Sequence, residues 1–272
     1  MKLWRKSALI APAVVVAMTA AACGGGKTGG QMVYGLDTAF PDNLFPLIAA
    51  GNSVATAYGE IRVLLAPFRT YPDFTIKPDN DLVVGEPTTQ TTNGKQVVTY
   101  KINPKAVWSD GTPISSKDFE FTWRAQRSAD PAKGGCPALL GTTGYDQMAS
   151  VEGADNDKTV TLTYAKPFSD WKSMFNPLLP AHVLDKSDPK ALCTAITKGW
   201  PTAQGIPVAS GPYIMDKAGI DPNKQIMTLS RNPKWWGEPS KLDRIIIQAI
   251  GNDPSVSVST PQLISRLSAV TS

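Results

Sequence analysis

The chain is poor in the side chains that do chemistry. It has one histidine and three cysteines in 272 residues. The histidine, His182, lies in the apolar stretch Leu179-Pro180-Ala181-His182-Val183-Leu184. A histidine there, without an orienting partner or a nucleophile nearby in the pattern, is expected to serve structure at a helix start. No Gly-x-Ser-x-Gly elbow and no His-Glu-x-x-His helix occurs. Asp155-Asn156-Asp157 lacks the glycine and glutamate that complete a calcium loop. These absences argue against an enzyme and leave no residue set for a metal or other cofactor.

A long apolar run is also lacking. The run from Ala8 to Met18 is interrupted by Pro12 and is far shorter than the roughly twenty residues a spanning helix needs. It follows Lys2, Arg5 and Lys6 and precedes Ala20, Ala21, Ala22 and Cys23, which is the layout of an export signal. Small residues at −3 and −1 with cysteine at +1 resemble the lipobox of bacterial lipoproteins, with Ala20 where leucine is usual. That resemblance implies removal of residues 1–22, acylation of Cys23 and a lipid-anchored chain outside the cytoplasmic membrane. Residues 23–30 then read as the lipidated cysteine and a Gly-rich tether. Gly26-Lys27-Thr28 imitates a phosphate loop, but the required earlier glycine is Ala21.

Excess positive charge disappears with the signal. Of 27 basic residues, three precede Cys23, which leaves 24 against 23 acidic ones. No basic patch for nucleic acid is implied. Cys136 and Cys193 remain as an even pair, expected as a disulfide in an oxidising compartment, the alternative being two free thiols.

The pattern along the chain mixes strands and helices, an α/β class. Gln31 to Leu36 reads as a first strand. Val54, Tyr58, Ile61 and Leu65 fall on one helical face, with Pro67 as the stop. Asp81–Thr92 and Lys95–Ile102 read as a hairpin turning at Asn93-Gly94. Ser115 and Asp118 form a capping box for the next helix. A second hairpin joins Met148–Glu152 to Thr159–Tyr164. Helical stretches are expected at Ser169–Phe175, Pro180–Leu184 and Pro189–Thr197, and a strand pair at Gly211–Lys217 and Gln225–Arg231. Leu242–Ile250 reads as a strand buried on both faces. Trp235-Trp236 is expected to pack under a loop. The tail 251–272 is rich in Ser and Thr and is expected to be poorly ordered.

Three segments carry a family resemblance. Thr99-Tyr100-Lys101-Ile102-Asn103-Pro104-Lys105-Ala106-Val107-Trp108-Ser109-Asp110-Gly111-Thr112-Pro113-Ile114 runs into the capped helix. Ser210-Gly211-Pro212-Tyr213 follows, then Arg231-Asn232-Pro233-Lys234-Trp235-Trp236 with Lys241-Leu242-Asp243. In this order they resemble the extracellular solute-binding proteins, family 5, of peptide and nickel ABC importers. Asp37 to Leu47 resembles the family's early loop, with Asn43-Leu44-Phe45-Pro46 in place of Leu-Asp-Pro.

The resemblance implies a periplasmic-binding-protein-like type II fold with a mixed sheet, peptide-binding subclass, in which two lobes clamp an extended oligopeptide or other small solute. Residues 31–250 would be lobe I, with 31–75 and 205–250 as its core and 76–204 as an inserted subdomain. Thr38, Ala39, Phe40 and the Ser210-Gly211 backbone would line the cleft. Family members continue into a second lobe, so the resemblance implies a partial copy with weakened or lost binding. The implied partner is a membrane permease and the implied state a monomer. A non-transport surface lipoprotein built on the same half-fold is the alternative.

Overall fold

The computed structural model describes residues 29–215 and 217–250. The signal segment, Cys23 and the 251–272 tail lie outside the described residues. Chain order gives β1 (Gln31–Leu36), α1 (Val54–Val63), the pair β2 (Phe68–Thr70) and β3 (Ile76–Pro78), and the pair β4 (Thr88–Thr92) and β5 (Lys95–Lys101). Then come α2 (Ser116–Gln126), β6 (Met148–Ala154), β7 (Thr159–Tyr164), α3 (Ala181–Leu184) and α4 (Pro189–Lys198). The chain closes with β8 (Tyr213–Ile214), β9 (Ile220–Asp221), β10 (Ile226–Arg231) and β11 (Arg244–Ala249).

The first sheet has the order β1-β11-β10-β8, with β9 also on β10. β1 and β11 are parallel, from Gln31 opposite Arg244 to Leu36 opposite Ala249. β10 lies antiparallel to β11 and to β8. Ile245 and Ile247 are buried while Ile246 is half-covered, so β11 packs one face fully and not both. The second sheet, β4-β5-β7-β6, is antiparallel throughout. Its hairpins turn as the sequence predicts. Asn93 and Gly94 have φ of 51° and 75°, the left-handed values of a tight turn. Asp155, Asn156 and Asp157 also have positive φ. β4 begins only at Thr88, because Gly85 (φ 73°) and Pro87 break the expected longer strand.

α2 starts at the predicted cap. The Ser115 N–H donates to Asp118 Oδ2 at 2.9 Å, and the Lys117 N–H donates to Ser115 Oγ at 3.3 Å. Asp118 Oδ1 also accepts from the Ala181 N–H at 2.9 Å, so one carboxyl caps both α2 and α3. Burial raises the Asp118 pKa, and the Ser115 and Ala181 donors partly offset it. Phe119 and Phe121 point inward, and Phe119 stacks on Tyr100 and tilts against Phe175. The helix expected at Ser169–Phe175 is a single turn at Trp171–Ser173, and the strand expected from Gly211 is two residues long.

α1 corrects the sequence reading. Val54 and Ile61 are 56 % and 64 % exposed, and the buried face is Ala55, Thr56, Gly59, Glu60 and Val63. Small side chains explain the choice. A Cβ on Gly59 would lie 2.5 Å from Met215 Cε, so the helix sits against the sheet strand through its thinnest face. The helix also ends at Val63, four residues before Pro67. There the Val63 carbonyl accepts the N–H groups of Ser210 (2.9 Å) and Gly211 (2.8 Å) instead of continuing the helical ladder.

Cys136 and Cys193 are bonded, with Cα atoms 5.0 Å apart, tying the segment after α2 to α4. The expected disulfide is therefore present. On the chain-entropy model this crosslink stabilises the fold by about 4 kcal/mol. Denaturant titration with and without reductant should show a loss of that order, and folded, unreduced protein should resist thiol labelling. Labelling of both cysteines without reductant would exclude the bond.

Glu60 supplies a second prediction. Its carboxyl has no hydrogen-bond or ion-pair partner among the described residues, and burial pushes its pKa from 4.5 up to about 8. The folded chain thus keeps a proton that the unfolded chain releases above about 4.5. Stability from this site is full below that pH and is lost as pH rises toward and through 8. Glu60→Gln should stabilise by roughly 2–4 kcal/mol at pH 8.5 and change little at pH 4. Equal effects at both pH values would show that the site does not titrate as described.

Candidate functional site

The parallel pair β1–β11 divides the first sheet into two edges. Both strands run toward Leu36 and Ala249, so these mark the carboxyl edge. In open α/β sheets ligands bind outside the carboxyl ends of parallel strands. The loop leaving β1 there is Asp37-Thr38-Ala39-Phe40. Asp37, Thr38 and Ala39 are exposed and Phe40 is buried.

Gln225 holds this loop in place. Its Oε1 accepts the Phe40 N–H at 2.8 Å, its Nε2 donates to the Pro222 carbonyl at 2.8 Å, and its own carbonyl accepts the Ala249 N–H at 3.0 Å. The Ile250 N–H donates to the Leu36 carbonyl at 2.7 Å. One side chain thereby fixes the loop to the ends of β10 and β11, while no bond from the backbone N–H groups of Thr38 and Ala39 is seen among the described residues. Farther along, Asn43 Oδ1 accepts from the N–H groups of Phe45 (2.8 Å) and Trp200 (3.0 Å), and Asn43 Nδ2 donates to the Lys198 carbonyl (2.8 Å). The early loop is thus locked to the segment after α4.

Ser210 and Gly211 lie at the other edge. β8 runs parallel to β1, and Tyr213 sits opposite Arg231, past the start of β11. Residues before Tyr213 therefore belong to the amino edge, where β1 begins. The six residues of β1 separate the two groups by about 20 Å, so the structure does not bring Ser210 and Gly211 beside Thr38, Ala39 and Phe40. Both are buried, and their N–H groups are engaged by Val63.

What the amino edge does bring together is the set of signature segments. The Ser109 N–H donates to the Ala209 carbonyl at 2.7 Å, and Ser109 Oγ accepts the Ala209 N–H at 2.9 Å. Ser210 Oγ accepts the Leu65 N–H at 2.8 Å. Asn232 Nδ2 donates to the Gly211 carbonyl at 2.8 Å, and the Asn232 N–H donates to the Pro212 carbonyl at 2.9 Å. A Cβ on Gly211 would lie 2.5 Å from the Arg62 carbonyl oxygen, so only glycine allows this approach. The Trp236 indole donates to the Asp81 carbonyl at 2.8 Å, which joins the first sheet to the segment ahead of the second. These motifs form a structural joint. No local sequence pattern announces it, because its bonds span long separations.

His182 completes the turn at Asp110-Gly111. Its Nε2 lies 2.8 Å from Asp110 Oδ2, and Asp110 Oδ1 accepts the Thr112 N–H at 2.9 Å. Burial raises the Asp110 pKa, but the bonds from Thr112 and His182 together outweigh it and hold the carboxyl below its usual range. The pair pins the turn, and among the described residues no hydroxyl or thiol bonds to His182. The adjoining cavity, about 710 Å³, is lined by Lys117, Asp118, Arg124, Asp157, Asp185 and His182 among others. Its charges largely satisfy one another: Lys117 with Asp157 at 3.4 Å and Arg124 with Asp185 at 2.5 Å. Among the described residues no cluster could hold a metal, and no helix is long and apolar enough to cross a membrane.

Known proteins share this arrangement. The family model for bacterial extracellular solute-binding proteins, family 5 Middle, matches residues 83–260. That match runs past the described residues, into the tail. The oligopeptide-binding protein OppA of Mycobacterium tuberculosis is 34% identical over 222 residues, covering 80% of this chain and 35% of its own length. The probable monoacyl phosphatidylinositol tetramannoside-binding protein LpqW of the same species is 29% identical over 227 residues, covering 81% of this chain and 33% of its own length. The solved periplasmic EDTA-binding protein EppA superposes with a TM-score of 0.73 at 25% identity, over 91% of this chain and 47% of that one. The chain therefore spans about a third of the length of the curated relatives it matches. The mixed α/β architecture is that of type II periplasmic binding proteins, and the chain belongs to the bacterial extracellular solute-binding proteins, family 5.

Proposed function

We propose that residues 31–250 form the first lobe of a substrate-binding lipoprotein that serves an ABC importer of oligopeptides or similar small solutes. The carboxyl-edge loop is the observation that carries this reading. Thr38 and Ala39 are exposed at the ends of a parallel strand pair, on a loop anchored by Gln225, with no bond from their N–H groups among the described residues. An extended peptide can pair with such a backbone as an added strand. Ser210 and Gly211 serve the site from the opposite edge, by fixing the end of α1. Residues 31–75 with 205–250 act as the core of the lobe and 76–204 as an insertion. The working unit is a monomer that delivers solute to a membrane permease, held outside the cytoplasmic membrane by lipid on Cys23. The family match, the likeness to OppA and the sequence ahead of Cys23 support this reading. The chemistry is read as binding because the family and its relatives are solute-binding proteins.

Titration of the chain with a pool of short peptides should give saturable binding. Ala39→Pro removes the open N–H at the centre of the loop and should weaken binding up to about tenfold. Unchanged affinity in that variant would move the ligand off this edge, and no binding of any peptide would count against the peptide class. For the anchor, intact mass should show diacylglycerol on Cys23, and Cys23→Ala should lower the share of the chain in the membrane fraction. An unmodified Cys23 would remove the lipid anchor.

A further inference from the structure

The link between β2 and β3 is a tightly made tip, Tyr71-Pro72-Asp73-Phe74-Thr75. The Tyr71 N–H donates to the Thr75 carbonyl at 2.9 Å, and the Phe74 N–H donates to the Tyr71 carbonyl at 2.8 Å. Asp73 Oδ1 accepts from the Thr75 N–H (3.1 Å) and from Thr75 Oγ1 (2.7 Å). This bonding holds Phe74 at a φ of 61°, a conformation that glycine or asparagine adopts at least cost and a bulky residue resists. Yet Phe74 is 86 % exposed and meets no other ring among the described residues. Tyr71 and Ile76 beside it are 42 % and 43 % exposed, and the Lys77 ammonium lies 5.1 Å over the Tyr71 ring. A phenylalanine that costs the fold stability, stands largely exposed and meets no other ring among the described residues has its use outside the chain.

The placement of the tip says where. Its hairpin follows directly from the joint at the amino edge, two residues after Ala66, and Asp81 just beyond it accepts the Trp236 indole. Gly29 and Gly30 are fixed on that same edge. The Gly29 N–H donates to the Lys241 carbonyl at 2.8 Å and the Gly30 N–H to Asp243 Oδ2 at 2.9 Å. β1 and β10 are two strands apart, roughly 10 Å. From Cys23 to Gly29 the backbone reaches at most about 20 Å. If Cys23 carries lipid, the amino edge is the part of the body held nearest the bilayer.

We propose that this hairpin tip, led by Phe74 with Tyr71 and Ile76, inserts into the interfacial layer of the membrane as a second contact beside the lipid anchor. Aromatic side chains favour that layer, and a second contact beside the anchor would set how the body lies on the surface. The inference rests on the lipid-anchor reading for its geometry, but its test does not.

The chain from residue 23 onward, carrying Cys23→Ser, is mixed with vesicles of phosphatidylcholine and phosphatidylglycerol, and the bound fraction is measured by sedimentation. The lipid-free chain should partition to vesicles, and Phe74→Gly should weaken that partition about tenfold or more. The thermal midpoint of Phe74→Gly should hold or rise, since glycine suits the left-handed backbone. Equal binding by the two chains, or no vesicle binding by the Phe74 chain, overturns the inference. So does a photocrosslinker at position 74 that captures a membrane protein and no lipid, which would assign the tip to a protein partner. Intact mass of Cys23 is read separately. An unmodified Cys23 together with Phe74-dependent vesicle binding removes the anchor and supports the tip.

Discussion

Everything in this chain hangs on the parallel pairing of β1 with β11. It joins residues 31–36 to 244–249, so nearly the whole described chain is one excursion between two neighbouring strands. A pairing of such separation is costly in loop-closure entropy. Its direction also sets the geography of the molecule. Both strands point to one edge, which carries the Asp37–Phe40 loop. Both begin at the other, where the chain leads in through Gly29 and Gly30.

The amino edge is where the chain is bound most firmly to itself. Ser109, Ser210 and Asn232 come from three distant segments, and their side chains bond backbone within a few residues of one another. The buried glycine at 211 allows the close approach, and Val63 gives up its helical acceptor role to it. Such a joint ties the sheet, α1 and the second sheet to one another. A binding lobe needs that rigidity, because a clamp closes usefully only if each jaw keeps its shape. The carboxyl edge is built differently, with one glutamine tying a loop that otherwise keeps its backbone free. In the reading proposed above, the two edges take different tasks, ligand on one side and attachment on the other.

Local signals in the sequence translated well into structure. Asn93-Gly94 turned a hairpin, the Ser115–Asp118 box capped α2, and Cys136 paired with Cys193. Each depends on residues whose preference is local or on a pair with no rival. The family was legible too, from the order of its motifs. α1 was misread because apolar periodicity favoured Val54 and Ile61, whereas Gly59 and Ala55 let the backbone approach Met215 closely. The β2–β3 hairpin was missed because its strands are three residues long and its turn residue is a phenylalanine where glycine is the usual marker. The joint was invisible because most of its hydrogen bonds join segments a hundred residues or more apart and leave no spacing to read. For the same reason the sequence could group Thr38–Phe40 with Ser210–Gly211, and only the strand directions separate them.

The division of labour between the edges is open to one direct measurement, hydrogen exchange on the lipid-anchored chain in vesicles, with and without peptide. Vesicles should slow exchange in residues 71–76 and peptide should slow it in residues 37–40, each leaving the other segment unchanged. Protection of one segment by both, or the two segments exchanging roles, would contradict the assignment of ligand and membrane to opposite edges.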